Sequence, residues 1–128
     1  MRDVVVVSGV RTAVGSFGGS LKDFSPSELG ATVVREAMAR ASVAGSEIGH
    51  VVFGNVVHTE PRDMYLARVA AIEGGVQHHT PCLTVNRLCG SGLQAIVSAA
   101  QSILLGDAAV QTANGVSEGG GLDGAHGH

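Results

Sequence analysis

Within Asn86-Arg87-Leu88-Cys89-Gly90-Ser91-Gly92 a thiol is followed by three small residues. A thiolate is a strong nucleophile, and small neighbours let a substrate carbonyl approach sulfur and backbone together. The flanks indicate how the thiol is held. Upstream, Pro81 to Asn86 is short, β-branched and apolar, the pattern of a buried strand. Downstream, Leu93, Ile96, Val97, Ala99, Ala100, Ile103, Leu104 and Leu105 follow a helical period, with Gly106 as a C-terminal stop. This spacing predicts a thiol where a strand passes into the first turn of a long helix. Unpaired N–H groups and the positive end of the helix dipole favour the thiolate there. Covalent acyl transfer is the chemistry such a group could perform. Buried structural cysteines are common, so the residues alone leave nucleophile and packing residue evenly open.

The other chemistry-bearing residues offer less. His50, His58, His78, His79, His126 and His128 are expected in solvent-facing loops rather than against Cys89. No cysteine or carboxylate constellation accompanies the His78-His79 or His126-Gly127-His128 pairs, so no metal site is expected. Gly15-Ser16-Phe17-Gly18-Gly19 fits neither the dinucleotide nor the Walker pattern and reads as a structural loop. A Cys82–Cys89 disulfide would disable the thiol, and two cysteines suit a reducing cytoplasm better than a disulfide framework.

The elements that position the thiol follow from composition and period. The 128 residues, 45% hydrophobic, fit one domain with an ordinary core. A net charge of −3 without a basic cluster gives no case for nucleic acid or an anionic membrane, and one Tyr, three Phe and no Trp offer no base-stacking platform. No secretory signal is evident, and Val4 to Val7 is a strand-length run, too short to span a membrane. The predicted order is strand, loop, helix, strand, short helix, strand, long helix. Ser25, Pro26 and Glu28 form a helix start with a capping box. Leu29, Val33, Ala37 and Ala41 supply its apolar stripe, and Gly45 ends the segment. Val51-Val52-Phe53 is the second strand, and Met64 to Glu73 a shorter helix closed by Gly74-Gly75. Such alternation implies α/β architecture with right-handed crossovers and a mostly parallel sheet. The long helix carries no charge between Arg87 and Asp107, so it should be buried on most sides.

The motif from Asn86 to Gly92 resembles the nucleophile motif of thiolases, the acetyl-CoA acetyltransferases and 3-ketoacyl-CoA thiolases. Val4 to Gly19 resembles the family's first strand and Arg-Thr loop, Glu28-Leu29-Gly30 its first helix, and Val52 to Val56 its second strand. Arg68-Val69-Ala70-Ala71 is similar to the end of the following short helix. Thr59 to Tyr65 looks more like broad-range bacterial β-ketothiolases than acetoacetyl-type enzymes.

The resemblance implies a five-layer α-β-α-β-α thiolase-like fold in the whole family. This chain would be a partial N-terminal half with one sheet: residues 1–107 an incomplete half-domain, 108–128 a divergent, Gly-rich, flexible tail. Half of the long helix's packing surface must then come from elsewhere. The end of the chain suggests truncation, a frame shift or foreign sequence. The implied activity is acyl transfer on acyl-CoA thioesters in fatty acid metabolism: Claisen condensation of two acetyl-CoA to acetoacetyl-CoA, and its thiolytic reverse. Cys89 would carry the acyl group as a thioester, its own backbone N–H serving as an oxyanion donor. Coenzyme A and its thioesters would be substrates, with no further cofactor, and homodimers or homotetramers the assembly. The family's Gly-His-Pro, Cys-x-Gly-x-Gly and Asn-Glu-Ala-Phe motifs do not occur, so the chain alone should be inactive. The competing readings are a ketoacyl-synthase-like condensing enzyme, though Leu88-Cys89-Gly90-Ser91-Gly92 is thiolase-like, and a non-catalytic oligomerisation fragment.

Overall fold

The structure is a computed structural model and describes residues 2–115. Helix α1 spans Pro26–Ala41, strand β1 His50–Gly54, helix α2 Leu66–Glu73, strand β2 Cys82–Val85, helix α3 Ser91–Leu105 and strand β3 Gln111–Gly115. Short 3-10 turns at Gly45–Glu47 and Pro61–Tyr65 precede β1 and α2. The three strands form one sheet in the order β2-β1-β3, and both pairings are parallel. The fold class is therefore α/β with a single parallel sheet, as the element order implied.

The central strand β1 is buried on both faces. Val51 and Phe53 pack with Val34 and Met38 of α1 and with Leu66, Ala67, Ala70 and Ala71 of α2. Val52, one residue out of phase, packs on the opposite face with Ala95 and Ala99 of α3. Helices α1 and α2 thus cover one face and α3 the other.

The start of α1 is as expected. The Glu28 N–H donates to Ser25 Oγ at 3.2 Å, and the Ser25 N–H donates to Glu28 Oε2 at 2.7 Å. Its buried face differs from the predicted stripe. Gly30, Ala31, Val34 and Met38 are buried, whereas Leu29, Val33 and Ala37 lie half-buried at the margin. Gly30 sets this rotation, because a methyl there would sit 2.9 Å from Ala70 Cβ and 3.0 Å from Phe53 Cε1. The helix also ends before Gly45, at Ser42 in the left-handed conformation with φ 53°.

Two further expectations are corrected. Val4 to Val7 forms no strand; it pairs with nothing among the described residues, and Val5, Val6 and Val7 are 73%, 84% and 66% exposed. Strand propensity without a ladder partner does not make a strand. Conversely, ordered structure does not stop at Asp107: Ala108 is buried, the Gly49 N–H donates to Val110 O at 2.9 Å, and β3 follows. Gln111 and Thr112 stand in this edge strand with their side-chain polar atoms buried and without a hydrogen bond among the described residues. The rest of the predicted tail, 116–128, lies outside the described residues.

Helix α3 buries only Ser91, Ala95 and Ala99, and leaves Leu93, Ile96, Val97, Leu104 and Leu105 exposed. The expectation of a helix buried on most sides is therefore not met among the described residues: one face of short side chains packs on the sheet and the remaining apolar face is uncovered. Leu88–Leu105 is also long and apolar enough, by composition, to cross a membrane, with a mean hydropathy of 1.4. Its packing against β1 and β3 instead identifies α3 as a layer of the α/β fold.

Candidate active site

Cys89 lies in the turn between β2 and α3, at the C-terminal edge of the parallel sheet, where open α/β folds place their ligands. Glycines seat the start of α3 against the strand ends. A methyl on Gly54, the last residue of β1, would sit 2.5 Å from the Ser91 carbonyl carbon, and one on Gly115, the last of β3, 2.7 Å from Gly92 Cα. Helix and strands approach each other backbone to backbone, which fixes where the turn projects.

The turn is braced by its own polar side chains. Asn86 Oδ1 accepts from the Leu88 N–H at 3.0 Å. Ser91, 5% exposed, uses its hydroxyl twice: Oγ accepts from the Arg87 N–H and donates to Leu88 O, both at 2.7 Å. Between these braces Leu88 adopts φ 47°, a left-handed conformation costing a branched aliphatic residue roughly 1–2 kcal/mol. Strain of this kind persists where surrounding bonds over-determine the backbone. Arg87 Nη1 donates to Gln94 Oε1 at 2.6 Å, which ties its guanidinium back along α3.

Cys89 itself is an exposed free thiol. Gly90, the N-cap of α3, has no side chain to cap the first turn. None of the turn's hydrogen bonds among the described residues uses the Cys89 N–H. Sulfur and amide thus both lack a hydrogen-bond partner among the described residues, and Leu88 and Leu93, near them in sequence, are 69% and 68% exposed. The turn thus presents an exposed thiol, a backbone N–H without a partner among the described residues, and exposed apolar side chains.

Cys82 is different. It lies at the opposite end of β2, half-buried, with its Sγ–H directed at Thr80 O at 3.5 Å. Burial pushes its thiol pKa up, partly countered by hydrogen bonding and charge from Arg68. Both cysteines are free, and the ends of the four-residue β2 lie about 10 Å apart, with Cys82 at one end and the Cys89 turn beyond the other.

The histidines take no part in the Cys89 turn among the described residues. His58 Nδ1 pairs with Asn55 Nδ2 at 3.1 Å, His50 faces Ser102 Oγ at 3.4 Å, and His78 and His79 stack edge to face. No metal-binding cluster occurs among the described residues, and His126 and His128 lie outside them. The sequence reading overlooked Asn86 and Ser91 as braces. Their types carried the signal, because Asn and Ser close turns by bonding nearby backbone.

Comparison with known proteins supports the resemblance. The family profile described as thiolase, N-terminal domain, matches residues 4–119. Beta-ketothiolase BktB of Cupriavidus necator is 74% identical over 114 residues, covering 89% of this chain and 29% of that protein. The acetyl-CoA acetyltransferase of the same organism is 45% identical over 115 residues, covering 90% and 29%. Among solved structures, the Bacillus anthracis acetyl-CoA acetyltransferase superposes with a TM-score of 0.84 at 36% identity, covering 91% of this chain and 30% of that one. The chain thus spans under a third of the length of these relatives, and within that span it belongs to the thiolase family, as its N-terminal domain.

Proposed function

We propose that this chain supplies the nucleophile of a thiolase-type acyltransferase acting on acyl-CoA thioesters. Cys89 Sγ attacks the thioester carbonyl, the carbonyl electrons collect on oxygen, and the Cys89 N–H donates to that oxyanion. Collapse of the adduct breaks the bond to the coenzyme A sulfur, which leaves as a thiolate and takes up a proton. Cys89 then holds the acyl group as a thioester. The carbanion of a second acetyl-CoA attacks it in the condensing direction, and coenzyme A itself in the thiolytic direction.

The observation that carries this reading is the exposed thiol on a strained, braced turn at the strand ends. The names of the relatives, a β-ketothiolase and an acetyl-CoA acetyltransferase, supply the acyl class. Deprotonating the second acetyl-CoA needs a base that no histidine beside Cys89 provides among the described residues. Lacking a general base costs ~10²–10⁴-fold, so the chain alone is a poor catalyst. A reducing cytoplasm and a role in fatty acid metabolism belong to the same reading, because the thiol must stay unoxidised.

The test is acylation followed by mass spectrometry. Incubation with acetyl-CoA should add one acetyl group at Cys89, removable by neutral hydroxylamine and lost in Cys89→Ala, with no acetoacetyl-CoA formed over many turnovers. An acetyl group on Cys82, or none, refutes the nucleophile. Acylation from acyl-carrier protein but not from coenzyme A would favour a ketoacyl-synthase-like enzyme. The exposed leucines of α3 support one further reading, an assembly module, which a thiol-inert, well-folded oligomer in sedimentation would favour.

A further inference from the structure

Arg87 is the charged residue nearest in sequence to Cys89, and α3 itself carries no charged side chain. Its place is fixed at both ends. The Arg87 N–H donates to Ser91 Oγ at 2.7 Å, and Nη1 donates to Gln94 Oε1 at 2.6 Å. Gln94 lies in the first turn of α3, and its Nε2 donates to Ser98 Oγ at 3.0 Å. Arginine can only donate, so the amide of Gln94 must turn its oxygen to Arg87 and its nitrogen to the hydroxyl.

The guanidinium is thus oriented without being neutralised. Gln94 is uncharged, Arg87 belongs to none of the ion pairs among the described residues, and its side chain makes no other hydrogen bond among them. Other arginines are committed: Arg40 and Arg62 to glutamates, Arg35 and Arg68 to backbone carbonyls. Arg87 is also exposed. A neutral brace on an exposed cation leaves the charge and most of its donors for an anion that arrives from solution. Arginine matches an oxyanion with two parallel N–H···O bonds.

We infer that Arg87 is a specificity residue that receives a carboxylate on the acyl chain, so that thioesters ending in a carboxylate acylate Cys89 in preference to neutral ones of equal length. The inference deepens the acyl-transfer reading and rests on Cys89 as the acyl acceptor. The covalent step is unchanged: sulfur gains the acyl group and coenzyme A leaves. Position selects the anion. The Cα atoms of Arg87 and Cys89 are at most about 7 Å apart, so the guanidinium stands within roughly a side chain's length of the sulfur that carries the acyl group. The phosphates of coenzyme A sit at the far end of the pantetheine arm, away from that sulfur.

The test compares glutaryl-CoA with pentanoyl-CoA, equal in chain length, on the whole chain, with Cys89 acylation rates read by mass spectrometry. The ratio of the two rates within one protein cancels any effect of a variant on folding or on the turn. Wild type should favour glutaryl-CoA by about fivefold, the upper range for a solvent-exposed ion pair, and lose most of the preference in about 1 M salt. Arg87→Gln should remove the preference, and Arg87→Lys should keep part of it, since the charge survives without the fork. Gln94→Leu takes away the brace and should lower the ratio with the charge still present. Equal rates in wild type, or a preference that survives Arg87→Gln, overturn the inference. So does an Arg87→Gln that slows both coenzyme A thioesters alike and spares pentanoyl-pantetheine, which would assign the guanidinium to a phosphate. Binding is read separately in Cys89→Ala, which takes no acyl group: glutaryl-CoA, and not pentanoyl-CoA, should shift the Arg87 Nε–H resonance in NMR. That shift without acylation of the wild type would remove the nucleophile and keep the carboxylate site; acylation without the shift would remove the carboxylate site alone.

Discussion

Gly54→Ala is the most direct probe of how the Cys89 turn is positioned. The added methyl would lie 2.5 Å from both the carbon and the oxygen of the Ser91 carbonyl and 2.8 Å from the Gly92 nitrogen. Non-bonded carbons rest about 3.5–4.0 Å apart, so close to an ångström of movement must be found. The obstructing atoms are backbone, and no flexible side chain can swing aside. The backbone angles of Gly54 are ordinary for alanine, so the effect is steric alone. Overpacking of this kind costs roughly 1–3 kcal/mol, and the reduced freedom of the unfolded chain returns roughly 0.4–1 kcal/mol. A net loss of ~1–2 kcal/mol should appear as a lower urea midpoint with unchanged slope, followed by far-UV circular dichroism. Gly9→Ala, where the methyl meets nothing within 4 Å, is the control and should raise the midpoint slightly through that entropic gain alone. Because the clash falls on the first turn of α3, iodoacetamide labelling of Cys89 should also change rate while that of half-buried Cys82 does not. Wild-type stability and wild-type Cys89 labelling in Gly54→Ala would refute the claim that β1 and α3 are seated backbone to backbone.

Other perturbations test the braces. Ser91→Ala strands the Arg87 N–H and removes one of the two donors to Leu88 O, the Ser91 N–H remaining; it should cost ~1–3 kcal/mol and speed amide exchange at Arg87, read by NMR. At Leu88, where φ is 47°, stability in urea should follow the order asparagine, leucine, valine, since asparagine tolerates the left-handed region and β-branched residues do not. The pKa of Glu28 lies below its ordinary value of 4.5, chiefly through the Ser25 N–H, so the capping box stabilises α1 above that value and its contribution is lost as pH falls through the lowered pKa. Glu28→Gln should flatten this part of an acid titration of helicity.

Local rules carried the elements whose signals lie within a few residues. Ser25 to Glu28 is a capping box by residue type, and Gly106 ends α3 with φ 84°, its N–H donating to Ile103 O and that of Asp107 to Ser102 O. The strand-to-helix setting of Cys89 was legible for the same reason. What escaped the sequence was decided across space. Val4 to Val7 has the propensity of a strand, but propensity cannot say whether an edge is within reach. Gln111 and Thr112 are polar where an apolar strand was expected, and it is their parallel register with β1, a pairing across 61 positions, that makes β3 a strand. The rotation of α1 depends on Gly30 meeting Ala70 and Phe53, partners 23 or more positions away in the chain.

The small residues of α3 connect its two roles. Ser91, Ala95 and Ala99 form its buried face because only short side chains allow the helix to lie against Gly54 and Gly115. That approach sets the height of the Cys89 turn above the strand ends. It also turns five of the long apolar side chains of α3 outward, so the stripe containing Leu93, Ile96, Val97, Leu104 and Leu105 begins beside the thiol. The desolvation that strengthens an oxyanion's hydrogen bonds cannot come from a turn flanked by exposed leucines. A second layer laid along that stripe would bury Leu88 and Leu93 and exclude water from Cys89 in one step. On this geometry, completing the fold and closing the site are the same event, so acylation of Cys89 should be slow in this chain and accelerate only when α3 is covered.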